Sequence, residues 1–263
     1  MSKSKKIIVA NWKMNPASFK EAKAIFSAIK PKNKKSKIKA DVVICPPFVY
    51  LSALADYRST RIKKRSTLIN LGAQDVFYEP EGSFTGEISP LQLKNLGVKY
   101  VIIGHSERRA LGETNEVVRN KILACIKYII TPIVCVGENK RDESGNYLSF
   151  IRTQIEEIFS GIPKSALSKI VIAYEPIWAI GKSALREATP VESNEMAIFI
   201  KKVLSDLYDQ KAVENVGILY GGSVNTKNAG EFLKNGGVDG LLVGRESLDS
   251  EKFNEILKVV SSK

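Results

Sequence analysis

The chain has 263 residues, of which 44% are apolar and 26% charged, and its net charge is +12. That length suits one large globular core, and the balance excludes a disordered or fibrous chain. No stretch approaches the roughly 18 apolar residues needed to span a bilayer. The apolar run 7–10 behind the basic start is too short for a signal-peptide core, so a cytoplasmic location is expected. The three cysteines, Cys45, Cys125 and Cys135, are odd in number and lie in apolar contexts. They read as buried thiols in a reducing compartment. His105 is the single histidine, so no His-based metal site is expected. Much of the positive charge falls in residues 30–39 and 58–65. Without interleaved aromatics these runs read as solvated surface rather than a nucleic-acid patch, although their field would favour an anionic substrate.

Short β-branched runs recur along the whole sequence: 7–10, 41–45, 68–72, 100–103, 132–136, 170–173, 216–220 and 240–243. Most are continuously apolar, the pattern of strands buried on both faces of a parallel sheet. Between them lie stretches of helical period, at 18–29, 114–128, 148–159, 191–208 and 251–260. Thr189-Pro190-Val191-Glu192 supplies a cap, a proline at the first helical position and an acidic first turn. Eight strand–helix units predict a closed (β/α)8 barrel, with an open doubly wound sheet as the alternative. No linker or composition break divides the chain, so 1–263 is expected to be one domain.

The unusual polar and glycine residues follow these strands. Asn11-Trp12-Lys13 follows the first run, Gly104-His105-Ser106-Glu107 the fourth and Glu175 the sixth. Gly221-Gly222-Ser223 follows the seventh and Gly244 the eighth. In a barrel those ends open onto one face, where active sites form. Singly, each residue has a plainer explanation. Glu175 could be a surface carboxylate, His105 a core histidine, Lys13 a solvated amine and the glycines tight turns. Together they form a constellation. A carboxylate under Pro176, Ile177 and Trp178 loses water and becomes a better base. If Ser106 opens a helix, its N-terminus disfavours a charged ring at His105. Buried beside the first strand, Lys13 would need an anion, either Glu107 or a substrate oxygen, with Asn11 orienting it or touching substrate. The glycines after strands seven and eight would let backbone amides approach a phosphate.

These segments resemble the triosephosphate isomerase family. Asn11-Trp12-Lys13-Met14-Asn15, Gly104-His105-Ser106-Glu107-Arg108-Arg109, Ala173-Tyr174-Glu175-Pro176-Ile177-Trp178-Ala179-Ile180-Gly181 and Tyr220-Gly221-Gly222-Ser223-Val224 carry the likeness. Gly72-Ala73-Gln74-Asp75, Phe84-Thr85-Gly86-Glu87-Ile88-Ser89 and Val134-Cys135-Val136-Gly137-Glu138 extend it over essentially the whole chain, in order. The resemblance implies a TIM barrel and cofactor-free interconversion of dihydroxyacetone phosphate and glyceraldehyde 3-phosphate, a step of glycolysis and gluconeogenesis. It implies Glu175 as the base, His105 as a neutral electrophile and Lys13 as added positive charge. It places the phosphate on amides near Gly181, Ser223 and Gly244. It makes 176–184 a lid that keeps water from the enediolate. It further implies a homodimer, in which residues 74–87, with Phe77, Tyr78 and Thr85, insert into the partner. Thr85 would there support the neighbour's Asn11 and His105.

Two departures from the family pattern stand out. The lid reads Ala179-Ile180-Gly181-Lys182-Ser183-Ala184-Leu185-Arg186-Glu187-Ala188-Thr189-Pro190, and the stretch from Glu175 to Pro190 is two residues longer than usual. After strand eight, Gly244-Arg245 replaces two glycines, and Arg245 resists positive φ. Its amide is expected to serve phosphate, with the side chain turned outward or adding charge. Two rival readings are a Schiff-base lyase or aldolase with Lys13 as nucleophile and a non-enzymatic basic barrel. Borohydride trapping distinguishes the first, and salt-dependent binding that survives Glu175→Gln the second.

Overall fold

A computed structural model of the chain describes residues 6–29, 40–62, 69–181, 184 and 186–260. Position 68 of the third predicted strand, the basic run 30–39, the end of the run 58–65, and Lys182, Ser183 and Leu185 of the expected lid lie outside the described residues.

Eight parallel strands close in sequence order into a barrel. They are β1 (Lys6–Asn11), β2 (Ala40–Cys45), β3 (Ile69–Ala73), β4 (Tyr100–Ile103), β5 (Thr131–Val136), β6 (Val171–Tyr174), β7 (Gly217–Tyr220) and β8 (Gly240–Val243). Closure pairs Ile7 with Gly240 and Ala10 with Val243. The predicted (β/α)8 architecture is the one observed, and the open-sheet alternative falls. Each predicted run overlaps its strand to within a residue or two.

The continuous apolar runs reflect two cores. Val9, Val43, Ile102, Ile133, Ala173 and Leu219 fill the barrel interior. Their neighbours Ile8, Val42, Ile103, Val134, Ile172 and Ile218 face outward into the layer beneath the helices. Burying one such aliphatic side chain contributes roughly 1.5–3 kcal/mol, so the apolar strand residues are held from one side or the other.

The outer layer is helical: α1 (Phe19–Ala28), α2 (Phe48–Ile62), α3 (Pro90–Asn95), α4 (Ser106–Ala110), α5 (Asn115–Lys127), α6 (Asn146–Phe159), α7 (Pro190–Leu207), α8 (Gln210–Val213), α9 (Ala229–Asn235) and α10 (Ser250–Val259). In α5, Thr114 caps the amide of Val117 and Val118, Ile122 and Cys125 are buried, one per turn. In α7, Thr189 and Glu192 form a reciprocal capping box. The helix α2, unpredicted from the sequence, follows two prolines, and α9 is short and begins with Ala-Gly. Among the described residues no helix is long and apolar enough to cross a membrane. No group of three or more His, Cys, Asp or Glu residues there is placed to hold a metal ion. All three cysteines are free and buried.

Candidate active site

Glu175 leaves the end of β6. Its amide donates to the carbonyl of Val136 at 2.8 Å. A Cβ at position 137 would lie 1.8 Å from the Glu175 carbonyl oxygen. Only glycine lets β5 and β6 approach so closely here, and this approach fixes where the Glu175 backbone sits. The side chain is 3% exposed. Its Oε2 accepts the Ser106 amide at 2.9 Å, and its Oε1 lies 3.2 Å from His105 Nε2. Gly221, beyond β7, packs on its other side, for a Cβ there would meet Glu175 Cγ at 3.1 Å.

His105 is buried and caps the short helix α4, its Nδ1 accepting the Glu107 amide at 3.1 Å. A nitrogen that accepts a backbone N–H carries no proton, so Nε2 holds the hydrogen and points it toward Glu175. The expected helix start at Ser106 is thus present and sets the tautomer. Beneath the carboxylate, Cys135 has its thiol pushed well up by burial and by the nearby Glu175 charge. It stays a neutral thiol and adds no anion to the site.

Lys13 sits at φ 53°, a left-handed conformation uncommon outside glycine. Neighbours hold it there. Asn11 Oδ1 accepts its amide at 3.1 Å, and Gln74 Nε2 donates to its carbonyl at 2.8 Å and to that of Cys45 at 3.0 Å. Its Nζ is 2.7 Å from Glu107 Oε1. The sequence suggested a buried ammonium; the side chain is instead 32% exposed, because it reaches from β1 into the open mouth of the barrel. Glu107 is one of the two anions anticipated for it, the other being a substrate oxygen, and a lysine held by a carboxylate acts as a point charge rather than as a free amine nucleophile.

The side expected to take phosphate is assembled from three loops. Gly181 is exposed at φ +81°. Ser223 Oγ donates to the Ala179 carbonyl at 2.7 Å, so the loop after β7 holds the loop after β6. Gly244 stands beside the lysine, as a Cβ on it would come 3.8 Å from Lys13 Cε. Arg245 begins a 3₁₀ turn, Arg245–Leu248, and is exposed. Among described non-glycine residues only Lys13 and Ile129 have positive φ. The anticipated conflict at Arg245 therefore does not arise, since the chain turns at Gly244 (φ −87°, ψ −111°) and Arg245 takes an ordinary helical φ.

Residues 107, 105, 175, 13 and 11 are thus brought to one mouth of the barrel. Thr85 is not: it lies exposed in the 74–87 loop, and no hydrogen bond joins it to Asn11 or His105 of its own chain. That loop is packed by its own aromatics, with Phe77 stacked 4.2 Å from Tyr78 and tilted against Phe84 at 4.7 Å.

Several residues to which the sequence assigned no role shape the site. Gln74 supports Lys13. Arg109 Nε donates to the Gly104 carbonyl at 2.8 Å and locks the turn before His105. Glu138, 1% exposed, accepts from Trp178 Nε1 at 2.7 Å and from the Tyr174 hydroxyl at 2.8 Å. It thereby holds the 3₁₀ turn Ile177–Ala179 that follows Glu175. Burial pushes the Glu138 carboxyl above the usual carboxylate range, against the pull of those two donors. Gln74 and Glu138 both lie in segments that carry the family likeness, which was the one available signal; their polar contacts span 29 to 61 positions of sequence.

A profile of the triosephosphate isomerase family matches residues 6–260. A protein named triosephosphate isomerase from Dictyoglomus thermophilum is 44% identical over 258 residues, covering 97% of this chain and 99% of that one. Another of the same name from Caldanaerobacter subterraneus subsp. tengcongensis is 42% identical over 253 residues, covering 95% and 98%.

Proposed function

Given that the chain belongs to the triosephosphate isomerase family, we propose that Glu175, His105, Lys13 and Asn11 carry out its reaction. The enzyme interconverts dihydroxyacetone phosphate and glyceraldehyde 3-phosphate, an intramolecular aldose–ketose isomerisation. The observation that carries the assignment is the buried Glu175 carboxylate meeting the His105 Nε2–H at one barrel mouth, with the Lys13 ammonium bonded to the adjoining Glu107.

Glu175 takes a proton from the carbon beside the carbonyl and returns it to the neighbouring carbon. His105 donates its Nε2–H to the oxygen on which negative charge develops, and Lys13 stabilises the same charge. In the present arrangement Glu175 is satisfied by Ser106 and His105. Substrate must therefore displace those bonds and turn the carboxylate inward. Amides near Gly181, Ser223, Gly244 and Arg245 hold the phosphate, and the segment from Pro176 closes over the enediolate to exclude water. No cofactor is needed, because only protons move: one between the two carbons through Glu175, and one between the two oxygens, which His105 is placed to relay.

The coupled assay with glyceraldehyde 3-phosphate on wild type and Glu175→Gln tests the assignment. A fall of several powers of ten is expected, and full activity in the variant would refute it.

The working unit is a homodimer of one-domain subunits in the cytoplasm, acting on a small phosphorylated triose rather than on nucleic acid or membrane. Met14, 94% exposed, and the Phe77–Tyr78–Phe84 cluster on the 74–87 loop are surfaces a partner would cover. Thr85 would then reach the neighbour's Asn11 and His105. Light scattering is expected to give twice the chain mass, and a fully active monomer would refute the dimer.

A further inference from the structure

Arg186 lies in the stretch between Glu175 and Pro190 that is longer than the family pattern. Its guanidinium carbon sits 4.6 Å from the centroid of the Trp178 ring. Its NH1 donates to Glu192 Oε2 at 2.9 Å and to the Glu187 carbonyl at 3.1 Å, and its NH2 pairs with Glu192 Oε1. One side chain therefore touches both ends of the lid. Trp178 is three residues beyond Glu175. Glu192 is in the first turn of α7, which begins where the lid ends.

Both ends are anchored independently. Trp178 Nε1 donates to the buried Glu138. Glu192 is fixed in the capping box with Thr189. We propose that Arg186 is a positioning residue that clasps Trp178 to Glu192 and holds the lid in its resting position, with Glu175 turned toward Ser106 and His105. A fork of planar donors over an indole face suits arginine; lysine could pair with Glu192 but could not stack and bridge at once. The bond to Arg186 is also the largest of the influences that hold the Glu192 carboxyl down to about 2, so the pair stays charged throughout the neutral range.

The clasp belongs to the conformation in which Glu175 is engaged with protein groups, not with substrate. Any closure that draws Glu175 and the following Pro176-Ile177-Trp178 inward must loosen it. A ligand that closes the lid then binds with an affinity reduced by that cost. The inference rests on the assignment of Glu175 as base and of the segment after it as lid.

The test uses Arg186→Ala, Arg186→Lys and Glu192→Gln, the last of which keeps an oxygen for the capping box. The probe is a phosphorylated two-carbon carboxylate, which mimics the enediolate and does not react. Arg186→Ala is expected to lower its Kd and the KM for triose phosphate together by about three- to ten-fold, as suits one exposed pair and one ring contact. Glu192→Gln should shift both in the same direction by less, and Arg186→Lys should fall between wild type and alanine. A double variant Arg186→Ala/Glu192→Gln should match Arg186→Ala, since both changes break one clasp. A purely structural arginine would lower Tm and raise KM. Unchanged or weaker probe binding, or additive effects in the double variant, would overturn the proposal. Failure of the site assignment is read separately, from wild type against Glu175→Gln.

Discussion

Glu175 Oε1 and His105 Nε2 are 3.2 Å apart, and the hydrogen between them belongs to the histidine, because Nδ1 is occupied by the Glu107 amide. The proposed base and the proposed electrophile thus rest against one another. His105→Gln keeps a donor but shortens its reach and removes the Nδ1 acceptor. The expected result is a loss of about 10²–10³ in kcat, the size seen when one donor to a developing oxyanion is removed. KM should change little, because the lost interaction forms mainly in the transition state. Steady-state kinetics beside a circular dichroism spectrum checks this, and a variant that retained wild-type kcat would remove His105 from the mechanism.

Arg245 at the end of β8 has an ordinary φ, and its side chain is exposed. Replacing it with glycine relieves no strain and adds freedom to the unfolded chain, at a stability cost of about 0.5–1 kcal/mol. Arg245→Gly is therefore expected to lower Tm slightly and to leave KM within about two-fold, since the amide proposed to hold phosphate is retained. A large fall in KM would show that the arginine side chain obstructs the phosphate.

The architecture was legible in the sequence because β5 and β6 (Ile133, Cys135, Val171 and Ala173 inside the barrel, Val134 and Ile172 outside) must be apolar on both faces, and that doubling writes a continuous signal. Glu175, His105 and Lys13 were legible because each stands directly after such a run. Glu138 was less so. Its partners Tyr174 and Trp178 are remote in sequence, and a Gly-Glu pair after a strand reads as a turn until β5 and β6 are brought side by side. The left-handed backbone of Lys13 was likewise hidden, since it is imposed by Asn11 and Gln74 and not by any preference of lysine. Arg186 lacked any local signal: its meaning comes from Trp178 and Glu192 meeting over it.

Gly137 decides whether Glu175 can occupy its place. A methyl group at 137 would overlap the Glu175 carbonyl, and that contact is with backbone, which cannot rotate away. Gly137→Ala must separate the ends of β5 and β6 and displace Glu175 from Ser106 and His105. The expectation is a loss of at least about 10²-fold in kcat/KM, in line with ångström-scale misplacement of a reacting group, together with a lower Tm. Tm and kcat/KM measured together test this, and wild-type kcat/KM in a folded Gly137→Ala protein would contradict it.

Glu138 offers a test in pH. Its carboxyl is held above the usual range in the folded protein, chiefly by burial, whereas in the unfolded chain it titrates near 4.5. Between those two values the folded state binds more proton than the unfolded state, so stability from this group is complete below about pH 4.5 and is lost as pH rises through the folded value. Glu138→Gln keeps an oxygen to accept from Tyr174 and Trp178 but carries no charge to bury. The Tm of the variant relative to wild type should therefore increase as pH rises above about 4.5. Scanning calorimetry across that range gives the answer. A Tm difference that stays flat, or runs the other way, would mean that the hydrogen bonds from Tyr174 and Trp178, and not burial, govern the carboxyl that anchors the residues after Glu175.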